Sequence, residues 1–123
     1  MKNALHHSLK RLIEEGGNHN FLIINLTENY YIQAAGKHYS SHLLIEAVSN
    51  NYLPSEKKLN SSQQENLLLL GWDAPKKEGN YTFRVSINSN EEYNACIEFI
   101  EKTAKEVYEV DFIDNCMIEL DLE

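Results

Sequence analysis

No stretch constrains the fold more than the one from Leu59 through Ser61, Ser62 and Glu65 to Leu70, Gly71, Trp72 and Pro75, which closes on Asn80, Tyr81 and Phe83. Ser62 precedes Glu65 by three positions, the spacing at which a hydroxyl and a carboxylate reciprocally satisfy the amide donors left orphaned at a helix start. The pattern predicts a helix opened by that pair. Leu67, Leu68, Leu69 and Leu70 then follow without interruption, and one helical turn cannot point all four at a single core. Part of that leucine surface must meet a second layer or a partner. Gly71 stands where a left-handed residue ends a helix, and the next residue folds back on the helix position five earlier, which pairs Trp72 with Leu67. The only tryptophan is thus expected to be a packing anchor.

The remaining elements follow from periodicity. Leu5, Leu9, Leu12 and Ile13 share one helical face, with Gly16-Gly17 as the stop. The continuous apolar run from Phe21 to Leu26 has strand length and predicts a central strand covered on both sides. Turns at Glu28-Asn29 and Gly36-Lys37 lead to strands over Tyr30 to Ala35 and over His38 to Val48, the latter with Leu43, Ile45 and Ala47 on one face. A loop rich in Asn, Ser and Lys, containing Pro54, crosses to the leucine helix. Tyr81, Phe83, Val85 and Ile87 alternate with polar residues, the clearest strand pattern in the chain. Ser89 and Glu92 form a second capping pair, opening a helix whose apolar stripe is Tyr93, Cys96, Ile97, Ile100, Ala104, Val107 and Tyr108. Glu98 with Lys102 and Glu101 with Lys105 are placed to pair along its outer face. Ile118, Leu120 and Leu122 alternate with acids, predicting a last edge strand. Charge on an edge guards it against aggregation. The whole is expected to be one domain, 1–123, of α+β class: an antiparallel sheet of four to five strands with helices packed mainly on one face.

The formal net charge of -8 argues against nucleic acid, whose binding rests on Lys and Arg displacing counterions. No run approaches the roughly 20 apolar residues of a membrane span. Cys96 and Cys116 show no paired spacing, and the first twelve residues lack the apolar core of a secretory signal. A cytoplasmic protein is expected.

Reactive chemistry finds no convergent set. On one strand His38 and His42 lie about 13 Å apart, too far to share an ion, and His6-His7 and His19 add no ligand spacing. The Ser40-Ser41-His42 run puts hydroxyl and imidazole on opposite faces of a strand. Glu46, and the acidic row of Glu119, Asp121 and Glu123, lack a partnering catalytic group. The expectation is a non-enzyme with no metal and no cofactor. The tyrosines Tyr30, Tyr31, Tyr39, Tyr52 and Tyr81 cluster in or beside the strands, and tyrosine is enriched at interfaces because it joins apolar area to a wet hydroxyl. With an exposed leucine they form a groove or a two-fold face. Leu68, Leu69, Tyr30 and Tyr31 are the expected contacts to a protein partner.

The order α-β-β-β-α-β-α-β, with Leu59, Leu70-Gly71-Trp72, Pro75 and Asn80-Tyr81 in place, resembles the type III secretion chaperone-like superfamily, and within it the YbjN-like group. The resemblance spans Phe21 to about Tyr108. It implies a small, non-catalytic, homodimeric protein that holds an extended segment of a client. The acidic C-terminal segment departs from the secretion chaperones proper. The alternative function is an immunity or adaptor protein that neutralises one cognate partner through an acidic face.

Overall fold

The computed structural model describes residues 2–15, 20–36, 40–110 and 116–122, with backbone alone at residues 2 and 3. The elements run α1 (Lys2–Glu14), β1 (Asn20–Asn25), β2 (Tyr31–Gly36), β3 (His42–Ala47), α2 (Ser61–Leu70), β4 (Tyr81–Ser86), α3 (Asn90–Glu106) and β5 (Met117–Leu122). All strand pairings are antiparallel, and the sheet order is β4-β3-β2-β1-β5. The expected α+β architecture and element order are those of the structure. The expected stop at Gly16-Gly17, the Lys37 turn, His19, His38, Tyr39 and Glu123 lie outside the described residues.

Register divides the sheet into two unlike faces. Leu22 stands opposite Ala34 and Leu120, Ile24 opposite Ile32 and Ile118, Ala34 opposite Ile45, and Leu43 opposite Val85. These side chains share the face on which α1 and α3 lie. Leu5, Leu9 and Leu12 of α1 and Ile97, Ile100 and Ala104 of α3 are fully buried there, each aliphatic side chain contributing about 1.5–3 kcal/mol. The α3 stripe anticipated from periodicity, Tyr93 through Tyr108, is buried at every position.

Among the described residues, no helix packs on the opposite face. Phe21 remains 38% exposed and Ile23 half-buried, while Leu22 and Ile24 are buried. β1 is an interior strand, between β2 and β5, but the expectation that it is covered on both sides is corrected: among the described residues the helices that contact the sheet use one side. β3 begins at His42, after Ser40 Oγ accepts a bond from the His42 amide at 3.2 Å.

Two local expectations shift for physical reasons. The first capping box is Asn60 with Gln63, two residues upstream of Ser62 and Glu65. Asn60 Oδ1 accepts from Gln63 N at 2.8 Å and Gln63 Oε1 accepts from Asn60 N at 2.8 Å. Asn is as good a cap as Ser, and the buried Leu59 just before it anchors the chain to the core. On α3, Lys102 pairs with Glu106 at 3.9 Å, and among the described residues the anticipated pairs to Glu98 and Glu101 are not made. Such exposed pairs are worth well under about 1 kcal/mol, so their choice of partner is loosely determined.

The end of α2 forms as its sequence implies. Gly71 has φ 114°, its N–H donates to Leu68 O at 3.1 Å, and Trp72 N–H donates to Leu67 O at 3.0 Å. A Cβ at Gly71 would sit 3.5 Å from Phe83 Cε2, an ordinary contact, so the cost of a side chain is conformational. Gly71→Ala is expected to lower stability by about 1–2 kcal/mol in urea unfolding, without changing the fold.

Candidate functional site

β4 and β5 are the sheet edges. β4 is only partly closed: Asp73 bridges Thr82, with Asp73 N to Thr82 O at 2.8 Å and Thr82 N to Asp73 O at 3.1 Å. Pro75 follows two residues later and gives no amide. Main-chain groups alternate in direction along an antiparallel strand. Since Thr82 bonds outward, Arg84 and Ser86 also present their N–H and C=O to the open side. Among the described residues nothing pairs with them there.

Below this edge, between β4 and α3, lies an apolar groove of about 270 Å³, walled by Phe83, Val85, Ala95, Cys96 and Phe99, with Glu92 at its mouth. Its sequence origin is simple: β4 and α3 each direct one apolar stripe at the same core, and the last strand of the sheet leaves the outer half of that seam uncovered. An aromatic stack stiffens one end. Phe83 and Phe99 have ring centroids 4.5 Å apart, and Trp72 lies 5.1 Å from Phe99 and 6.1 Å from Phe83. Trp72 is 2% exposed, and its Nε1–H donates to Thr103 Oγ1 at 3.0 Å. Burial pushes the Cys96 thiol up to about 12, so the groove floor is uncharged and chemically quiet.

The four residues singled out as contacts occupy two places. Leu68 and Leu69, 51% and 76% exposed, sit on the last turn of α2 beside Trp72, and the Trp72-Phe99-Phe83 stack links that turn to the groove. Tyr30 and Tyr31 are half-buried at the start of β2, beside the residues that lead into β4. Tyr30 Oη donates to Lys57 O at 2.9 Å and its ring packs 5.2 Å from Tyr108, while Tyr31 Oη accepts from Asn80 Nδ2 at 3.2 Å. Sequence reading missed the groove because its walls, Val85, Cys96 and Phe99, look like ordinary core positions. The signal that finds it is spatial, the unpaired rungs above an apolar seam.

Apart from Cys96 and Glu92, the candidate reactive side chains form no set within the groove. His42 Nδ1 and Ser86 Oγ are 2.7 Å apart on the open face, yet among the described residues no carboxylate orients the other ring nitrogen, as a nucleophile's base requires. Glu46 Oε2 accepts from Gln33 Nε2 at 3.0 Å. Among the described residues no three His, Cys, Asp or Glu gather as metal ligands, and no helix is long and apolar enough to cross a membrane. Cys96 and Cys116 are both buried, and Cys116 Sγ donates to Leu26 O at 3.8 Å.

No curated protein matches the chain, and no solved structure does. The sequence model of the family described as T3SS (YopN, CesT) and YbjN peptide-binding chaperone 3, TY-Chap3, matches residues 3–113. That match takes in every described element except β5, including the groove, its open edge and the leucine turn, and the chain belongs to this family.

Proposed function

We propose that the protein is a non-catalytic peptide-binding chaperone that takes an extended client segment as an added strand on β4. The observation that carries this reading is the pair of open rungs at Arg84 and Ser86 directly above the groove. In strand addition, main-chain bonds give affinity and pockets for alternate side chains give selectivity. The client strand continues the short pairing that Asp73 begins, and its alternate side chains point toward α3. A segment that alternates apolar and polar residues fits, with one aliphatic or aromatic side chain seated among Phe83, Val85 and Phe99. Leu68 and Leu69 contact the client where it leaves the edge, and Glu92 favours a basic residue beside the seated one. Tyr30 and Tyr31 serve as the frame that holds the later loops at Lys57 and Asn80.

The test is an amide-resolved titration with alternating apolar peptides bearing a lysine. Binding is expected to shift the amides of Arg84 and Ser86 together with those of Ala95 and Phe99. Ala95 is exposed at the groove wall, so Ala95→Trp fills the groove while leaving the core intact, and is expected to weaken binding at least about tenfold. Shifts confined to another surface, or full affinity in the filled variant, would overturn the assignment.

A further inference from the structure

Each side of β4 carries its own recess. Toward α3 lies the groove walled by Phe83, Val85 and Phe99. On the opposite, helix-free side a wider recess of about 710 Å³ takes in His42, Leu44, Arg84 and Ser86, which register sets side by side, Leu44 with Arg84 and His42 with Ser86. Successive side chains of a strand point to opposite faces, so a strand added at the β4 edge sends every second residue to each recess. The residue in register with Val85 enters the groove, and those in register with Arg84 and Ser86 project over the helix-free side.

The chain itself already adds one such piece of strand. Asp73 pairs with Thr82 at this edge, which sets Trp72 beside Phe83. Trp72 is buried and stacked on Phe99 of α3, whereas Asp73 is exposed and shares the helix-free side with the residue opposite it, Thr82. The pattern is apolar toward the helix and acidic away from it. One rung further, the helix-free side offers a cation. Arg84 is exposed and forms no ion pair among the described residues, and Glu46, diagonal to it on β3, is engaged by Gln33 Nε2 at 3.0 Å. At the next rung Ser86 Oγ and His42 Nδ1 stand 2.7 Å apart. Whichever of the two donates, one polar hydrogen is left for an acceptor: His42 Nε2–H if the hydroxyl donates, Ser86 O–H if the ring does.

We infer that, given the strand addition proposed above on which this rests, the client alternates apolar with acidic residues, a carboxylate pairing with the Arg84 guanidinium while the neighbouring residue fills the groove. This preference runs against the bulk charge. With a formal net charge of -8 the protein as a whole attracts cationic peptides, so selection of an acid at one position is the signature of Arg84. Glu92 lies on α3, so the lysine it favours belongs to the groove side, two residues from the seated one. The client then carries its two signs of charge on opposite faces.

Acetylated and amidated peptides of sequence Thr-Lys-X-Leu-X-Lys-Thr, with X as Glu, Gln or Lys, test this. Their symmetry presents the same residue to Arg84 whichever way the added strand runs. At about 0.15 M salt the Glu peptide is expected to bind wild type on the order of tenfold more tightly than the Lys peptide, with Gln between them. Arg84→Glu is expected to reverse that order and Arg84→Lys to keep it, both with unchanged thermal unfolding because Arg84 is exposed. The preference is expected to fade at about 1 M salt. Peptides that shift the Arg84 and Ser86 amides with equal affinity whatever X is, or an order that Arg84→Glu leaves in place, would overturn the acidic preference and leave strand addition standing. Absence of those shifts with every peptide would overturn both.

Discussion

Trp72→Ala is expected to remove about 3–5 kcal/mol of stability, the range of large aromatic truncations in a core. Three contributions add in the same direction. The indole is 2% exposed, so its apolar area returns to water. It is stacked on Phe99 at 5.1 Å and 28° and meets Phe83 edge-on at 6.1 Å, and such aromatic pairs carry about 0.5–1.5 kcal/mol beyond their area. Its Nε1–H bond to Thr103 Oγ1 is buried. The loss of that bond is softened because the Thr103 hydroxyl still donates to Phe99 O at 2.9 Å, so no buried donor is stranded. Trp72→Phe keeps the stack and drops the N–H, and is expected to cost about 1–2 kcal/mol. Domains of this size hold about 5–15 kcal/mol in total, so the alanine variant is a large fraction of the whole. Urea unfolding of both variants checks the ranking, and an alanine variant within about 1 kcal/mol of wild type would remove Trp72 from its role as anchor.

That role was legible in the sequence because Gly71 and Trp72 are adjacent and the motif they form is local. The same holds for α3, whose stripe repeats over 16 residues from Tyr93 to Tyr108, and for β4, whose alternation is regular. Local periodicity dictates which side of an element is apolar. It does not say how many layers cover a sheet, and the reading of β1 failed there. Phe21, Leu22, Ile23 and Ile24 are apolar on both faces, a pattern that fits a strand sandwiched between helices. In the structure Leu22 and Ile24 are buried while Phe21 stays 38% exposed, because α1 and α3 share one side. The two capping patterns around Ser62 were similarly degenerate: both Asn60 with Gln63 and Ser62 with Glu65 have the right spacing, and the buried Leu59 decided between them. The groove was out of reach for a different reason. Its walls come from Phe83 and Val85 on one element and Ala95 to Phe99 on another, and only the pairing of β3 with β4 shows that the outer edge above them is open.

Raising the pH above about 9 is expected to destabilise the protein steeply, and the Cys96 thiol at the groove floor carries a large share. Burial lifts this thiol from 9.0 to about 12 in the folded state, whereas in the unfolded chain it ionises near its ordinary value. The folded state therefore holds the proton more tightly. Its contribution is fully present below pH 9 and is lost as pH rises from there toward 12. One pKa unit corresponds to about 1.36 kcal/mol, so the whole displacement is worth on the order of 4 kcal/mol. The Tyr108 phenol acts in the same sense, raised by burial and then by the neighbouring Tyr81, Tyr31 and Tyr30, and its hydroxyl donates to Val48 O at 2.8 Å. Burial also raises Tyr81. Stability measured by urea unfolding should be flat in pH from 7 to about 9 and fall beyond it. Cys96→Ala separates the thiol from the phenols. It is expected to lower stability by about 1–2 kcal/mol at pH 7 through the small cavity it leaves, yet to flatten the decline above pH 9. Burial holds the Cys96 proton well past pH 8, so a disulfide reagent should modify Cys96 no faster than the protein unfolds. Because burial suppresses that ionisation at Cys96, the floor of the groove stays uncharged, and an uncharged apolar floor favours an aliphatic or aromatic residue from a client. An unchanged alkaline slope in Cys96→Ala would mean that water reaches the groove floor, and the apolar selectivity argued for the client would lose its physical basis.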